Sequence, residues 1–232
     1  MKNSYHILCT ICVRKNSKEI KNKNFKKFLD TNLTNYTISQ SKEIKYFDKI
    51  VLSTDLTGSK LKKLKKVDLI ISRSKKLSND YASKLDVIRH AHLQAENAFN
   101  KRFDIIVDLD VTSPLREIID IKKSLEFFLK KKKKCSNLIT GTKAKKNPFF
   151  NQAIIKNGFA FPIIKSKIKR RQTVKNVYDL NAAIYIWRRK YLLNSKSVFL
   201  DKTIFFEMSN IKSIDIDSEL DFKLVEFLIK NR

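Results

Sequence analysis

Residues Phe103 to Val107 form a short apolar run, and Asp108-Leu109-Asp110-Val111-Thr112-Ser113-Pro114-Leu115-Arg116 follow it directly. An amphipathic stripe begins near Glu117. A short apolar run bounded by turn-forming residues reads as a buried strand, and the stripe after it as a helix. Strand, polar turn and helix make the unit of an α/β fold. In open sheets of that kind, ligands bind outside the carboxyl ends of the strands. Carboxylates, hydroxyls and an arginine crowd that end here, in a chain of formal charge +27. Together they point to a metal ion and a phosphorylated substrate.

The same unit recurs. Tyr5 to Val13, Asp48 to Asp55, Val67 to Ile71 and Asn137 to Gly141 read as further strands. Between them lie predicted helices over Thr34 to Ile44, Ser59 to Lys66, Ser83 to Asn97 and Ile118 to Leu129. The alternation predicts an α/β fold, a mostly parallel sheet with helices on both faces. After about Thr142 the rhythm changes. Pro148 to Lys165 reads as short strands turning at Asn157-Gly158, a strong hairpin signal. Ala182 to Arg188 is again strand-like, and Ser213 to Asp217 is expected to be a last short strand. Ser218, with Asp221 three residues on, makes an N-cap for a closing helix to Ile229.

Composition removes several alternatives. Lys and Arg number 50 against 23 acids, yet the run Lys130 to Lys134 ends a predicted helix, where cations suit the negative end of the dipole. No aromatic residues are interleaved in it, as a single-strand platform requires, so no specific nucleic-acid partner is expected. Abundant Lys, Asn and Ile with only 3 Gly and 3 Pro look like a coding bias spread over the surface. No apolar run reaches the ~18 residues that span a bilayer, so no membrane partner is expected. Met1 to His6 carry no apolar signal core, and a cytoplasmic location follows as the expectation. Cys9 and Cys12 have C-x-x-C spacing inside a strand, which puts their side chains on opposite faces. With Cys135 they read as small core residues rather than a zinc or disulfide set.

Three constellations could carry chemistry. Arg14, Ser17, Lys18, Lys23 and Asn24 lie in the loop after the first strand, where cations and polar groups can hold a nucleoside triphosphate. On spacing alone a solvated basic loop is the simpler reading. Asp215 and Asp217 flank Ile216, and alternation along a strand would turn both carboxylates to one side, as a Mg²⁺ site needs. A polar strand end capping the next helix fits equally well. Lys169-Arg170-Arg171-Gln172, followed by Asn181, could pair with carboxylate or phosphate, or form a surface turn.

Taken together the pieces resemble the acylneuraminate cytidylyltransferases, also called CMP-sialic acid synthetases. The family opens with A-R-G-G-S-K-G-[IL]-x-x-K-N, and here Val13 to Asn24 read VRKNSKEIKNKN. Ser53-Thr54-Asp55 match its S-T-D, and Arg73 with Asp80-Tyr81-Ala82-Ser83-Lys84 match an arginine followed by D-x-A-S-S. Asp110 to Arg116 match Q-P-T-S-P-L-R with two changes. Arg170-Arg171-Gln172, Asn181-Ala182-Ala183-Ile184-Tyr185 and Ile214 to Asp217 with Asp221 complete the series in order.

The resemblance implies a mononucleotide-binding, nucleotide-diphospho-sugar transferase-like fold. It also implies one domain over 1–232, with a β-rich arm inserted at 143–180 that forms a homodimer. It implies that CTP and a 2-keto sugar acid give CMP-sugar and pyrophosphate. By resemblance, Arg14, Lys18 and Lys23 hold phosphates, and Ser17, Asn24, Arg73 and Ser83 hold the nucleoside. Asp215 and Asp217 bind Mg²⁺, and Asp110, Arg171, Gln172 and Asn181 face the sugar acid. The expected catalytic set is Arg14, Lys18, Lys23 and Asp217.

Departures from the pattern sharpen this. Lys15, Asn16 and Glu19 replace loop glycines, and Lys84 replaces the second serine of A-S-S. Asp110 replaces the sugar-facing glutamine, and Asp179 an arginine frequent in sialic acid enzymes. The last two fall on the sugar side. They lead us to expect a related nonulosonic acid, of legionaminic or pseudaminic type, as substrate. Asp110 is also expected as a second metal ligand beside Asp217. A 3-deoxy-manno-octulosonate cytidylyltransferase and a basic nucleic-acid-binding protein are the competing readings.

Overall fold

Alternation along the first strand decides the layering. Ile7, Cys9, Ile11 and Val13 pack into one core, while Leu8 packs into another on the opposite face, all essentially without solvent contact. A strand buried on both faces must be covered by helices on both.

The computed structural model describes residues 5–15, 17, 19–79, 81–165 and 176–232. It runs β1 (Ile7–Val13), β2 (Lys27–Phe28), β3 (Thr31–Asn32), α1 (Leu33–Lys42), β4 (Lys49–Thr54), β5 (Leu69–Ser72), α2 (Lys75–Ser78) and α3 (Lys84–Phe99). It continues with β6 (Ile105–Leu109), α4 (Ile118–Lys131), β7 (Asn137–Lys143), β8 (Ala153–Lys156), β9 (Phe159–Pro162), β10 (Tyr178–Arg188), α5 (Arg189–Asn194), β11 (Thr203–Glu207) and α6 (Glu219–Lys230).

The main sheet has the order β11-β7-β10-β6-β1-β4-β5. Every pairing is parallel except those of β10, which runs against β6 and β7. The fold is therefore the expected α/β type, with a mostly parallel sheet. Helices α1, α4 and α6 supply Leu33, Ile38, Ile121, Leu125, Phe128, Phe222 and Val225 to the larger core. Helix α3, with Leu192 from α5, covers the other face. From β1 the chain steps to β4 and β5 on one side, then crosses to β6 on the other. The topological switch point thus falls between β1 and β6.

Most of the predicted elements are present. The Asn157-Gly158 turn joins β8 to β9, and both residues have positive φ (50° and 80°), as a two-residue hairpin turn of this kind requires. Ser218 and Asp221 form a reciprocal capping box on α6. Cys9 and Cys12 face opposite sides, and all three cysteines are free. Two expectations need correction. Ser59 to Lys66 gives only a 3₁₀ turn over Gly58–Lys63, because its lysines leave no apolar face to bury. Ser213 to Asp217 is not a strand: a 3₁₀ turn ends at Ser213, and the segment after it makes one sheet-like bond, Ile216 N–H to the Thr112 carbonyl at 2.9 Å. Strand β11 was not foreseen.

Polar groups on α3 include a buried histidine and a carboxylate that ties the helix to α5. His92 is fully buried with both ring nitrogens unsatisfied, beside Glu96, which holds Arg189 through two bonds of 2.8 and 2.7 Å. Burial pushes the His92 imidazole down to about 4. Its value in the fold lies below that in the unfolded chain, so stability is lost as pH falls through 6.5 toward 4. We expect this loss to reach about 2 kcal/mol by pH 5. Thermal melts should show a smaller drop in Tm between pH 7 and pH 5 for His92→Leu than for wild type; equal drops would exclude His92 as the source.

Candidate active site

The β1–β6 switch point opens into a cavity of about 420 Å³ at the carboxyl ends of the strands. Its walls bring together Arg14, Ser17, Lys23, Asn24, Arg73, Asp110 and Asp217, from segments far apart in sequence. Of the other expected site residues, Ser83, Asn181 and Asp215 do not line it. Lys18, Arg171 and Gln172 lie outside the described residues.

The loop after β1 is held without glycine. The Lys15 N–H donates to Asp55 at 2.6 Å, and the Asn24 amide donates to the Arg14 carbonyl at 3.1 Å. Asn22 takes the left-handed conformation (φ 56°), which Asn tolerates better than most residues. Asn24 itself is buried, and its Oδ1 has no protein partner. Arg73 extends the β4–β5 ladder, its N–H bonding the Thr54 carbonyl at 2.9 Å, and its guanidinium reaches across to the Val13 carbonyl. Its Nε is buried and unpaired, and burial lowers its pKa. Buried, unpaired polar atoms on a cavity wall are what a bound polar ligand would satisfy.

Lys23 joins this loop to the segment before α6. Its ammonium donates to the Ile216 carbonyl and lies 3.3 Å from the Asp217 carboxylate. Ile216 is fully buried between Asp215 and Asp217, so the alternation expected of a strand survives without one. Asp217 is mostly exposed, whereas Asp215 is largely enclosed and its Oδ1 has no partner. Burial, then the neighbouring Asp110, raises the Asp215 carboxyl to about 6, against the pull of the Thr112 hydroxyl. A largely enclosed carboxylate with one oxygen unpaired, beside like charges, is a fit for a cation. No three-ligand cluster able to hold a metal occurs among the described residues. Mg²⁺ commonly takes one or two carboxylates and completes its shell with water and phosphate, and Asp215 and Asp217 are the carboxylates that would hold one here.

At the end of β6 the structure reassigns several side chains. Asp108 faces inward, accepting from the Thr10 hydroxyl at 2.8 Å. Arg116, read from sequence as part of the ligand edge, is fully buried and binds the Asp110 and Ala183 carbonyls at 2.7 and 2.8 Å. Asn181 is buried too: its amide oxygen accepts from Thr140 and the Ala183 N–H, and its nitrogen donates to Ser213. These bonds fix a register shift in β10, where Ala182 has φ 51°. Asn181 therefore shapes the site from behind. Ser83 is the N-cap of α3, its oxygen accepting from the Asp86 N–H at 3.1 Å. Asp110 commits its oxygens to Thr112 and to Lys84, so a metal there would first have to part it from Lys84. Lys84 is a charged wall residue for which sequence reading found no role; only its departure from A-S-S marked it.

A family profile described as cytidylyltransferase matches residues 8–220. The chain belongs to the cytidylyltransferase family. This cytidylyltransferase is 43% identical to the CMP-N,N'-diacetyllegionaminic acid synthase of Campylobacter jejuni subsp. jejuni, over 96% of this chain and 94% of that one. It is 42% identical to the post-translational flagellin modification protein B of Campylobacter coli, over 97% and 96%. A solved CMP:2-keto-3-deoxy-manno-octonic acid synthetase, complexed with CTP, shares the fold at a TM-score of 0.69 and 14% identity, covering 97% of this chain and 99% of that one.

Lys23 is the cation that bridges both sides of the cavity mouth. Lys23→Met should lower kcat/KM for pyrophosphate release about 100-fold, in line with removal of one preorganised charge-stabilising donor. A change under threefold would show that Lys23 only braces the loop.

Proposed function

We propose that this cytidylyltransferase joins CTP to a nonulosonic acid of legionaminic type, giving CMP-sugar and pyrophosphate. The supporting observation is a cluster of cations on one side of the switch point, facing an Asp110 carboxylate that is paired with Lys84 on the other. Arg14, Lys23 and Arg73 come from the ends of β1 and β5 and the loop between β1 and α1, while Asp110 stands at the end of β6. A triphosphate fits the cationic side, and a polyhydroxy acid fits the side that offers hydrogen-bond acceptors. The 43% identity to a CMP-legionaminic acid synthase supports the choice of sugar acid.

In this reading the anomeric hydroxyl attacks the α-phosphorus, a new P–O bond forms and pyrophosphate leaves. Catalysis is then mainly positioning and charge neutralisation. Arg14 and Lys23 hold the phosphates in line, and Arg73 with Asn24 orients the nucleoside. Asp215 and Asp217 would hold Mg²⁺, which when bound supplies positive charge to the phosphoryl oxygens. Pyrophosphate release should be measured with CTP, Mg²⁺ and a panel of legionaminic, pseudaminic, N-acetylneuraminic and 3-deoxy-manno-octulosonic acids. We expect the legionaminic type to be turned over best. A preference for N-acetylneuraminic acid would overturn the sugar assignment, and no release with any of them would overturn the activity.

The hairpin β8–β9 presents Ile155 and Phe159, about two-thirds exposed, with Ile154 and Phe161 beside them. We assign this surface to a homodimer contact by the segment 143–180. Ile155→Lys with Phe159→Lys should shift the protein from dimer to monomer in sedimentation velocity; a monomeric wild type would exclude the contact. A cytoplasmic location is part of the proposal, since CTP is made there and the three cysteines are free. No helix among the described residues is long and apolar enough to cross a membrane.

A further inference from the structure

Two departures from the acylneuraminate pattern, Lys84 and Asp110, lie 26 residues apart in sequence and meet in the structure. The Lys84 ammonium sits 2.5 Å from Asp110 Oδ2. Where the family pattern has a neutral serine and a neutral glutamine, this chain has one ion pair on the cavity wall. We propose that Lys84 is a positioning residue for recognition of the sugar acid, acting through Asp110. The inference rests on the functional reading above and adds a residue to it.

Local preference argues against a lysine here. Lys84 is the first residue of α3, directly after the Ser83 cap, where the positive end of the helix dipole favours acids. The partners of the side chain, not the helix start, therefore account for a lysine here. What offsets the cost is a ring of acceptors: Asp110 at 2.5 Å, Asp108 at 3.4 Å and the Ala182 carbonyl at 3.4 Å. The Tyr185 ring lies 4.9 Å from the ammonium. The ammonium donates to Asp110 and to the Ala182 carbonyl and makes an ion pair with Asp108, so the protein holds it on three sides. Its nearest partner is the Asp110 carboxylate, and its effect on a ligand passes through the groups it holds.

Asp110 is the one of those groups whose side chain faces the cavity. Asp108 is fully buried behind it. Thr112 gives Asp110 Oδ1 a backbone N–H at 3.0 Å and a hydroxyl at 2.8 Å, and Lys84 takes Oδ2. The carboxylate is therefore fixed in orientation and held ionised. An ionised carboxylate only accepts hydrogen bonds, whereas glutamine both donates and accepts. It repels phosphate and pairs with a donor, so the matching group on the substrate is a hydroxyl or an acylamido N–H. The sheet order places it on the β6 side of the cavity, with β1 and β4 between it and the strand that ends at Arg73. That is the sugar side.

The test is a double-mutant cycle on the full-length enzyme, with CTP and N,N'-diacetyllegionaminic acid varied in turn. Lys84→Met and Asp110→Asn should each raise KM for the sugar acid at least tenfold and leave KM for CTP within twofold. Adding Lys84→Met to Asp110→Asn should cost less than a further threefold, because Lys84 acts through a carboxylate no longer there. Lys84→Arg should restore most of the affinity. A rise in KM for CTP, a fall in kcat with both KM values unchanged, or single effects that multiply in the double variant would each overturn the inference. Lys84→Met leaves two carboxylates without a cation; if it fails to fold, Lys84→Gln in the Asp110→Asn background, compared with Asp110→Asn alone, carries the same cycle. Wild type inactive with every nonulosonic acid strikes the functional reading, whereas active wild type with unaffected variants strikes only the role of Lys84.

Discussion

One buried guanidinium holds the floor of the site. Arg116 has no exposure to solvent and spreads its donors over three elements: the Asp110 carbonyl after β6, the Ala183 carbonyl in β10, and Gln40 and Thr37 on α1. Gln40 answers by donating to the Arg116 carbonyl at 2.5 Å. Burial pulls the guanidinium down to about 10, so it stays charged at neutral pH, with Asp110 and Asp108 as its electrostatic counterweights. A buried charge is tolerable only when its hydrogen bonds are complete, and such a network fixes one geometry because partial satisfaction is costly. The strand end that carries Asp110, the bulge in β10 and the face of α1 therefore have one mutual arrangement.

That arrangement explains why the cavity separates its charges. The β10 bulge turns the Ala182 and Ala183 carbonyls toward α3 and β6, where they receive Lys84 and Arg116. Asn181 supports the bulge from the core side with bonds to Thr140 and Ser213. Each of the three motif fragments on this side thus contributes a residue to one continuous network. The cationic side is built differently: its loop is braced by Asp55, Asn24 and Lys23, all side chains, while unpaired atoms on Arg73 and Asn24 are left for a ligand. A braced wall around Asp110 and Lys84 thus stands opposite a loop that leaves buried polar atoms on Arg73 and Asn24 unpaired.

This contrast sets what could be read from sequence. Strands β1, β4, β5, β6 and β7 were legible because burial on one or both faces leaves a periodic apolar signal. The switch-point site was legible because polar residues follow those strands. Whether a polar residue at a strand end points out or in was not legible. Arg116, Asp108 and Asn181 all have the chemistry of ligand-binding groups, and all turn inward to carbonyls or hydroxyls from distant segments. Lys84 and Asp110 each looked like a separate substitution, because an ion pair 26 residues apart leaves no local pattern. The segment after Ser213 read as a strand because Ile216 is buried between two acids, which one extended turn achieves without a ladder.

The unusual composition is absorbed by the fold rather than expressed as function. With 3 glycines in 232 residues, the chain meets most of its described left-handed positions without glycine: Asn22, Asn100 and Asn157, with Leu29 and Ala182, all have positive φ. Asparagine accepts that region at modest cost, so scarcity of glycine does not forbid the first loop. Gly141 is different, because a Cβ there would strike the Asp179 carbonyl and crowd the Phe205 ring. Asparagine can replace glycine where conformation is the demand, but not where close approach is. The net charge of +27 follows the same logic. Its lysines lie mostly on the surface, and the few cations that line the cavity come from two strand ends (Arg14, Arg73), a 3₁₀ turn (Lys23) and a helix start (Lys84). A surplus of positive charge raises the encounter rate with anions of any kind and by itself selects none of them.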